Sequence, residues 1–142
     1  MTLGTNFKPA PGSGKRARYE RKLSARAEQA RADRAAKHAE RKAALKRRHD
    51  VFVRDGGRCR ALGVQVFLVA ADPRVVGHVH HIKFKSAGGT DELENLLLLS
   101  PAAHDLVHQH LLDIEGNANQ LVTFTRYKLT DAGREVVRQW EG

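Results

Sequence analysis

Residues 78–108 of the chain read HVHHIKFKSAGGTDELENLLLLSPAAHDLVH. Near its end, Ser100 followed by Pro101 is a clear helix start, because serine is a preferred N-cap and proline fits the first helical position. The pattern predicts a helix that runs to about Leu112. The apolar run at 96–99 just before the cap is too short for its periodicity to distinguish a strand from a helix.

Strand-like segments lie on both sides of this stretch. Residues 64–69 and 75–82 are rich in β-branched residues and flank a turn-like sequence at 70–74, which predicts a hairpin. Residues 121–127 (LVTFTRY) alternate in the manner of a strand. Short strands mixed with helices predict the α+β class.

The last residues of the chain are predicted to form a helix. Thr130 can serve as its N-cap, and the helix would end near Trp140. Val136, Val137 and Trp140 are the side chains expected to pack inward.

Histidine is concentrated in the quoted stretch and just beyond it. His104 and His108 are four residues apart on the predicted helix, so their imidazoles lie on one face and can share a divalent ion. His80 and His81 are neighbours on a strand, where successive side chains point to opposite faces. A metal held by His80, His104 and His108 would keep an open position, which is typical of catalytic sites. The remaining histidines are interpreted as ordinary surface or core residues: His38, His49, His78 and His110.

The positive charge of the chain lies in its first third. The 142 residues have a formal net charge of +9 and a pI near 10.2. Residues 1–50 hold 15 Lys+Arg against 5 Asp+Glu, whereas residues 51–142 hold 10 against 11. We therefore predict a flexible N-terminus at 1–14, a basic helical arm at 15–50 and a compact domain at 51–142. The arm either grips nucleic-acid phosphates or is a solubilising or partner-binding extension.

Composition excludes several classes of protein. The apolar runs are much shorter than the roughly 20 residues of a membrane span, and the start has no secretory pattern. One cysteine cannot form an internal disulfide and fits a reducing compartment. We expect a cytoplasmic protein with no membrane partner.

The segment from about 54 to 108 resembles an HNH endonuclease of the ββα-metal class. The resemblance rests on RDGGRC at 54–59, VHHI at 79–82, Gly88-Gly89, Asn95-Leu96 and the His104–His108 spacing. It implies a small ββα-metal core at 54–112, here with a long basic N-terminal helix and a C-terminal strand-helix extension. The implied activity is metal-dependent hydrolysis of DNA phosphodiester bonds.

The resemblance also implies a role for each site residue. His81 would be the general base, and Asn95 would hold the loop and orient His81 by a hydrogen bond. His80, His104 and His108 would bind one divalent ion, which could be Mg²⁺, Mn²⁺, Ni²⁺ or Zn²⁺. The acidic turn that begins at Asp91 is interpreted as exposed and not as a source of ligands.

The sequence departs from many HNH proteins in its cysteines. Where they carry two CxxC pairs for a structural zinc, this chain has CRAL at 59–62 and SPAA at 100–103. We expect no structural zinc, with apolar packing by Leu62 and Ala103 in its place. Cys59 is expected to be a small buried apolar residue.

DNA is the partner that the charge and the resemblance imply. Lys83 and Lys85 follow the proposed base and are either phosphate contacts or simply solvated. In the arm, the expected contacts are Arg41, Lys42, Lys46, Arg47 and Arg48. The alternative function is a non-catalytic nucleic-acid-binding module on an HNH scaffold, and a structural metal protein is a third hypothesis. A bacterial or phage-infected cell is the expected setting, with phage packaging proteins as potential partners.

Overall fold

A computed structural model describes residues 13–142 of the chain. The N-terminus predicted to be flexible, residues 1–14, lies outside the described residues except for its last two, which are helical. The chain divides into two compact units, residues 1–43 and 44–142. One long helix, a short helix and two small antiparallel sheets confirm the α+β class.

Helix α1 spans Ser13–Arg54 and is 42 residues long. Alanine and straight-chain charged residues dominate it, and they have high helix propensity. From 14 to 46 almost every side chain is exposed, because the helix has no apolar stripe to bury. Its last turns differ, since Val51 is fully buried in the core of the second unit. No helix in the described part of the chain is both long and apolar enough to cross a membrane.

Strands β1 (His78–His81) and β2 (Leu96–Leu99) pair in antiparallel fashion, with His80 opposite Leu97. The predicted hairpin between 64–69 and 75–82 is therefore wrong, because the strand in the second segment pairs with β2 and not with residues 64–69. Residues 64–69 contribute only isolated bridges within the described chain, one of them between Phe67 and Val76. All four leucines of β2 are at most 2 % exposed. Each buried leucine stabilises the fold by roughly 1.5–3 kcal/mol, so the pairing of β1 with β2 accompanies a large gain in apolar burial.

Helix α2 spans Pro101–His108 and begins as predicted. Ser100 is its N-cap, and the Ser100 hydroxyl accepts a hydrogen bond from the Ala103 amide at 3.3 Å. The helix ends earlier than Leu112, because His110 adopts a left-handed conformation with φ of 57°. The amides of His110 and Leu111 donate back to Val107 and Leu106, which is the Schellman arrangement that closes a helix.

The second sheet is formed by β3 (Leu112–Gly116), β4 (Val122–Thr130) and β5 (Gly133–Glu141), in that order and antiparallel. Strand β4 confirms the strand predicted at 121–127. The C-terminal helix predicted from Thr130 to Trp140 is wrong, because this segment is β5. The strand-helix extension is therefore a three-stranded sheet, of which β3 had not been predicted.

A tight turn explains why the C-terminal segment is a strand. Gly133 has φ of +115°, and the Thr130 hydroxyl donates to the Gly133 carbonyl instead of capping a helix. Val136 and Val137 were expected to pack inward but are 56 % and 57 % exposed. Trp140 does pack inward, where its ring stacks on Phe124 at 5.6 Å between centroids.

A buried carboxylate joins the end of α1 to the rest of the second unit. The Asp55 side chain is fully buried and accepts hydrogen bonds from Arg54, from Arg60 and from the Leu98 amide. Arg54 also donates to the Leu96 carbonyl, and Arg60 donates to the carbonyls of Ala118 and Gly142. The network thus links α1, β2 and the C-terminus.

Cys59 is 1 % exposed, which confirms its predicted burial. Ala103 is fully buried, as expected. The expectation for Leu62 is wrong, since it is 45 % exposed. Apolar packing in this region therefore comes from Cys59, Ala61 and Ala103 and not from Leu62.

Candidate metal centre

His80 lies at the centre of the site. It faces inward from β1, is 5 % exposed and meets the edge of the Phe84 ring at 5.4 Å between centroids. Burial, followed by the nearby imidazoles of His104 and His108, lowers the pKa of His80 to about 4. At neutral pH its ring is therefore uncharged, and a lone pair is free to bind a metal ion.

His104 and His108 lie one turn apart on α2, as predicted. Their Nε2 atoms are 3.2 Å apart, and their ring centroids lie 5.4 Å and 6.1 Å from that of His80. Burial and the neighbouring His108 also lower the pKa of His104. Both effects favour the neutral, ligating form of the His104 imidazole.

The three imidazoles converge closely enough to bind one ion. Their candidate ligand atoms lie within 4.8 Å of one another. Two nitrogens that bind a tetrahedral ion at 2.0–2.1 Å are separated by roughly 3.3 Å. The His104–His108 spacing already matches that value, and small rotations of the rings would bring His80 to it. The donor set therefore fits a divalent ion and leaves room for a further ligand.

His81, the next residue on β1, has a different partner. Its Nε2 lies 2.8 Å from Oδ1 of Asp91. Hydrogen bonds from Lys85 and then His81, together with the charge of Arg47, lower the pKa of Asp91 to about 2. An ionised carboxylate can only accept, so Nε2 of His81 carries a proton, and in the neutral imidazole Nδ1 then holds the lone pair.

Asn95 holds the loop that follows β1. Its side-chain oxygen accepts from the Lys83 amide, and its Nδ2 donates to the carbonyls of Lys83 and Thr90. Within residues 13–142 the recorded side-chain partner of the His81 ring is Asp91 and not Asn95. Asn95 therefore bonds to the loop at Lys83 and Thr90, whereas the hydrogen bond to the His81 ring comes from Asp91.

Asp91 is the site residue that sequence reasoning missed. It had been assigned to an exposed acidic turn, although its side chain is only one-third exposed. Its position ten residues after His81 gives no periodic signal. Gly89 allows the loop to fold back, because a Cβ there would lie 1.8 Å from the Lys83 carbonyl oxygen. Only the folded loop brings Asp91 to His81.

The basic residues predicted to contact DNA fall into groups. Lys85 and Arg47 both pair with Asp91, at 2.8 Å and 3.2 Å. Arg48 is engaged in the fold, since its Nη2 donates to the carbonyls of Leu68 and Gly77. The others are exposed, and one of them, Lys46, pairs with Asp50 at 2.7 Å. These exposed residues are Arg41, Lys42, Lys46 and Lys83.

Fold and site together define an α+β protein with a three-histidine candidate metal centre. Comparisons of the chain with protein-family models, with curated proteins and with solved structures give no match.

Proposed function

We propose that the protein is a metal-dependent HNH endonuclease that hydrolyses DNA phosphodiester bonds. The observation that carries this proposal is the convergence of His80, His104 and His108 next to His81 on β1. The order β1, β2, α2 is also the order of elements that the HNH resemblance implies.

His81 is the proposed general base. Because Asp91 accepts a hydrogen bond from the Nε2–H group of His81, the Nδ1 lone pair of the neutral ring is available to take a proton from an attacking water. The water oxygen forms a bond to phosphorus as its proton passes to Nδ1, and the bond between phosphorus and the 3′ oxygen breaks. The departing 3′ oxygen takes a proton from solvent, and His81 returns its own proton to solvent afterwards.

His80, His104 and His108 are the proposed metal ligands. A divalent ion bound there would stabilise the negative charge that develops on the phosphate and on the departing oxygen. Imidazole nitrogens suit Zn²⁺ and Ni²⁺, whereas Mg²⁺ prefers oxygen ligands. The donor set therefore favours Ni²⁺ or Zn²⁺ over Mg²⁺.

DNA is the proposed substrate because of the charge of the first fifty residues. Their net charge is +10, and most of the basic side chains between 14 and 46 are exposed on helix α1. Neutralising DNA phosphates releases counterions, which makes binding strong at low salt and independent of sequence. The cytoplasm of a bacterial or phage-infected cell is the proposed setting, and phage packaging proteins are the proposed class of protein partner.

Plasmid cleavage tests this function. We expect the full chain to nick or cut supercoiled plasmid when Ni²⁺, Zn²⁺, Mn²⁺ or Mg²⁺ is supplied, and EDTA to abolish the cleavage. His104→Ala and His108→Ala should weaken metal binding in calorimetry and slow cleavage in parallel. His110→Ala removes an imidazole outside the ligand group and is the matched control.

Two outcomes would contradict the proposal. If the plasmid stays intact with every ion while the protein still binds DNA, the protein is a non-catalytic DNA-binding module and not a nuclease. Unchanged metal affinity in both ligand variants would show that His104 and His108 do not hold the ion.

A further inference from the structure

A trough lined by both charged and aliphatic side chains lies beside His81 in the second compact unit. Its volume is about 570 Å³, and the charged or titratable groups in its lining include Arg47 and Arg48 from α1, His81 from β1, and Lys85 and Asp91 from the following loop. All of these residues belong to the unit formed by residues 44–142. The trough thus joins the proposed base to the last basic turns of α1.

Two cationic side chains in the trough pair with the same carboxylate, that of Asp91. Oδ2 of Asp91 lies 2.8 Å from the Lys85 ammonium and 3.2 Å from the Arg47 guanidinium, while Oδ1 faces His81. Arg48 donates to neutral carbonyls, so its charge is not cancelled. Three cations therefore face a single anion, and the trough keeps an excess of positive charge.

We propose that this trough binds a phosphodiester group of the DNA backbone next to the bond that is cut, through Arg47 and Lys85, which Asp91 holds until DNA arrives. The proposal rests on the proposed function, because it places the phosphate beside His81. Asp91 Oδ2 marks a point where an anionic oxygen meets both an arginine and a lysine. A phosphate oxygen can accept the same charge-assisted hydrogen bonds from these two side chains.

The mobility of the two cations supports an exchange of partner. The side chains of Arg47 and Lys85 are 33 % and 60 % exposed, so both can turn from Asp91 to an incoming phosphate without disturbing the core. Partly exposed ion pairs such as these contribute little to stability, so their rearrangement costs little. Asp91 keeps its second oxygen on His81 during the exchange.

The lining of the trough also indicates what part of DNA is bound. The apolar residues in it are aliphatic, including Val76, Val79 and Leu96. Within residues 44–142 its ring side chains are the imidazoles of His78 and His81, and no Phe, Tyr or Trp lines it. Proteins that grip unpaired bases stack them on aromatic side chains. Contacts to phosphate alone position the backbone without reading its sequence. The trough therefore fits a backbone phosphate of any sequence.

DNA binding by a paired variant tests the trough. Fluorescence anisotropy with a short labelled duplex, in EDTA so that no cleavage occurs, should show about tenfold weaker binding for Arg47→Gln/Lys85→Gln in the full chain. The slope of log K against log salt should become shallower by roughly 0.9, since the contact to one phosphate is lost. Circular dichroism checks that the variant is folded.

The matched control removes the same charge elsewhere. Arg74→Gln/Lys128→Gln also removes two ion-paired cations, which pair with Asp72 and Glu135, outside the trough. Equal losses in affinity and slope for the two double variants would overturn the proposal, because net charge alone would explain them. Calorimetry with inorganic phosphate gives a second test. If the wild type binds phosphate and Arg47→Gln/Lys85→Gln does not, while the two proteins bind DNA equally well, the trough is a site for free phosphate and the proposal is overturned.

A single substitution at the carboxylate tests the exchange itself. Asp91→Asn frees both cations, so DNA binding in EDTA should tighten, by about threefold if the two lost ion pairs together compete by about 0.6 kcal/mol. Weaker binding would overturn the exchange. These binding measurements need no cleavage. The trough can therefore be confirmed even if the protein does not cleave plasmid, and cleavage can be confirmed even if the trough does not bind DNA.

Discussion

His80 combines deep burial with a place among other imidazoles. Its ring is surrounded by Phe84, His104 and His108 on the inner side of β1. This environment disfavours the charged imidazolium and lowers the pKa of His80 to about 4. The same burial that keeps the candidate ligand His80 uncharged therefore makes the metal-free fold sensitive to acid.

The pH dependence of stability tests this environment. In the unfolded chain the pKa of His80 is near 6.5, so the unfolded state binds the proton more readily than the folded state between pH 6.5 and 4. Its contribution is fully present above pH 6.5 and falls by about 3 kcal/mol as the pH drops to 4. Urea unfolding of the metal-free protein at pH 7 and 4.5 should show this loss, and His80→Gln should show a smaller one. An equal loss in both proteins would contradict the assigned pKa.

At the same scale, sequence predicted the ligands better than their supporting residues. Spacing of four on a helix and alternation along a strand are local rules, and they brought His80, His104 and His108 into one group. The Asp91–His81 contact depends on the fold of a ten-residue loop, which obeys no such rule. The partners of Arg48 are loop carbonyls from residues 68 and 77, which sequence could not place either.

At the scale of elements, the capping signal at Ser100 predicted a helix start correctly, whereas the signal at Thr130 and the predicted strand pairing were wrong. The start of α2 followed from Ser100 and Pro101, and α1 followed from its helix-forming composition. The pairing of β1 with β2 depends on which apolar segment gains most burial, and this is decided by the whole core. Single-sequence patterns at 64–69 and 75–82 contain no information about that competition.

Strand β5 shows how a turn can override a local signal. Thr130 followed by a segment with Val136 and Val137 was interpreted as a capped helix. The left-handed Gly133 instead reverses the chain, and the pairing with β4 supplies hydrogen bonds along the strand. The sheet then presents Trp140 to Phe124 and to the Ala61 carbonyl, which accepts from the indole nitrogen at 3.1 Å. A helix would have lost the ladder hydrogen bonds of this pairing.

At the scale of the whole molecule, one buried charge links distant parts of the second unit. The Asp55 carboxylate is fully buried and engages Arg54, Arg60 and the Leu98 amide. Their other partners lie as far along the chain as Gly142. Charged groups in such a network are costly to leave without partners, so the fold depends on every member.

Removal of that carboxylate should therefore destabilise the whole unit. We expect Asp55→Ala to lower the free energy of unfolding by about 3 kcal/mol or more, because two partly buried guanidinium groups lose their anion. Asp50→Ala removes a carboxylate from a surface pair with Lys46 and is the control, with little effect expected. Urea unfolding compares the two variants. Equal stability of Asp55→Ala and the wild type would show that the network does not hold the unit together.

In the proposed mechanism, His81 activates the water while His80, His104 and His108 hold the ion. The most direct test is the single-turnover rate of plasmid cleavage by His81→Ala at saturating metal, with metal affinity measured on the same sample by calorimetry. We expect cleavage at least about 100-fold slower than wild type, with metal affinity and DNA binding unchanged. Cleavage by His81→Ala at the wild-type rate would contradict the claim.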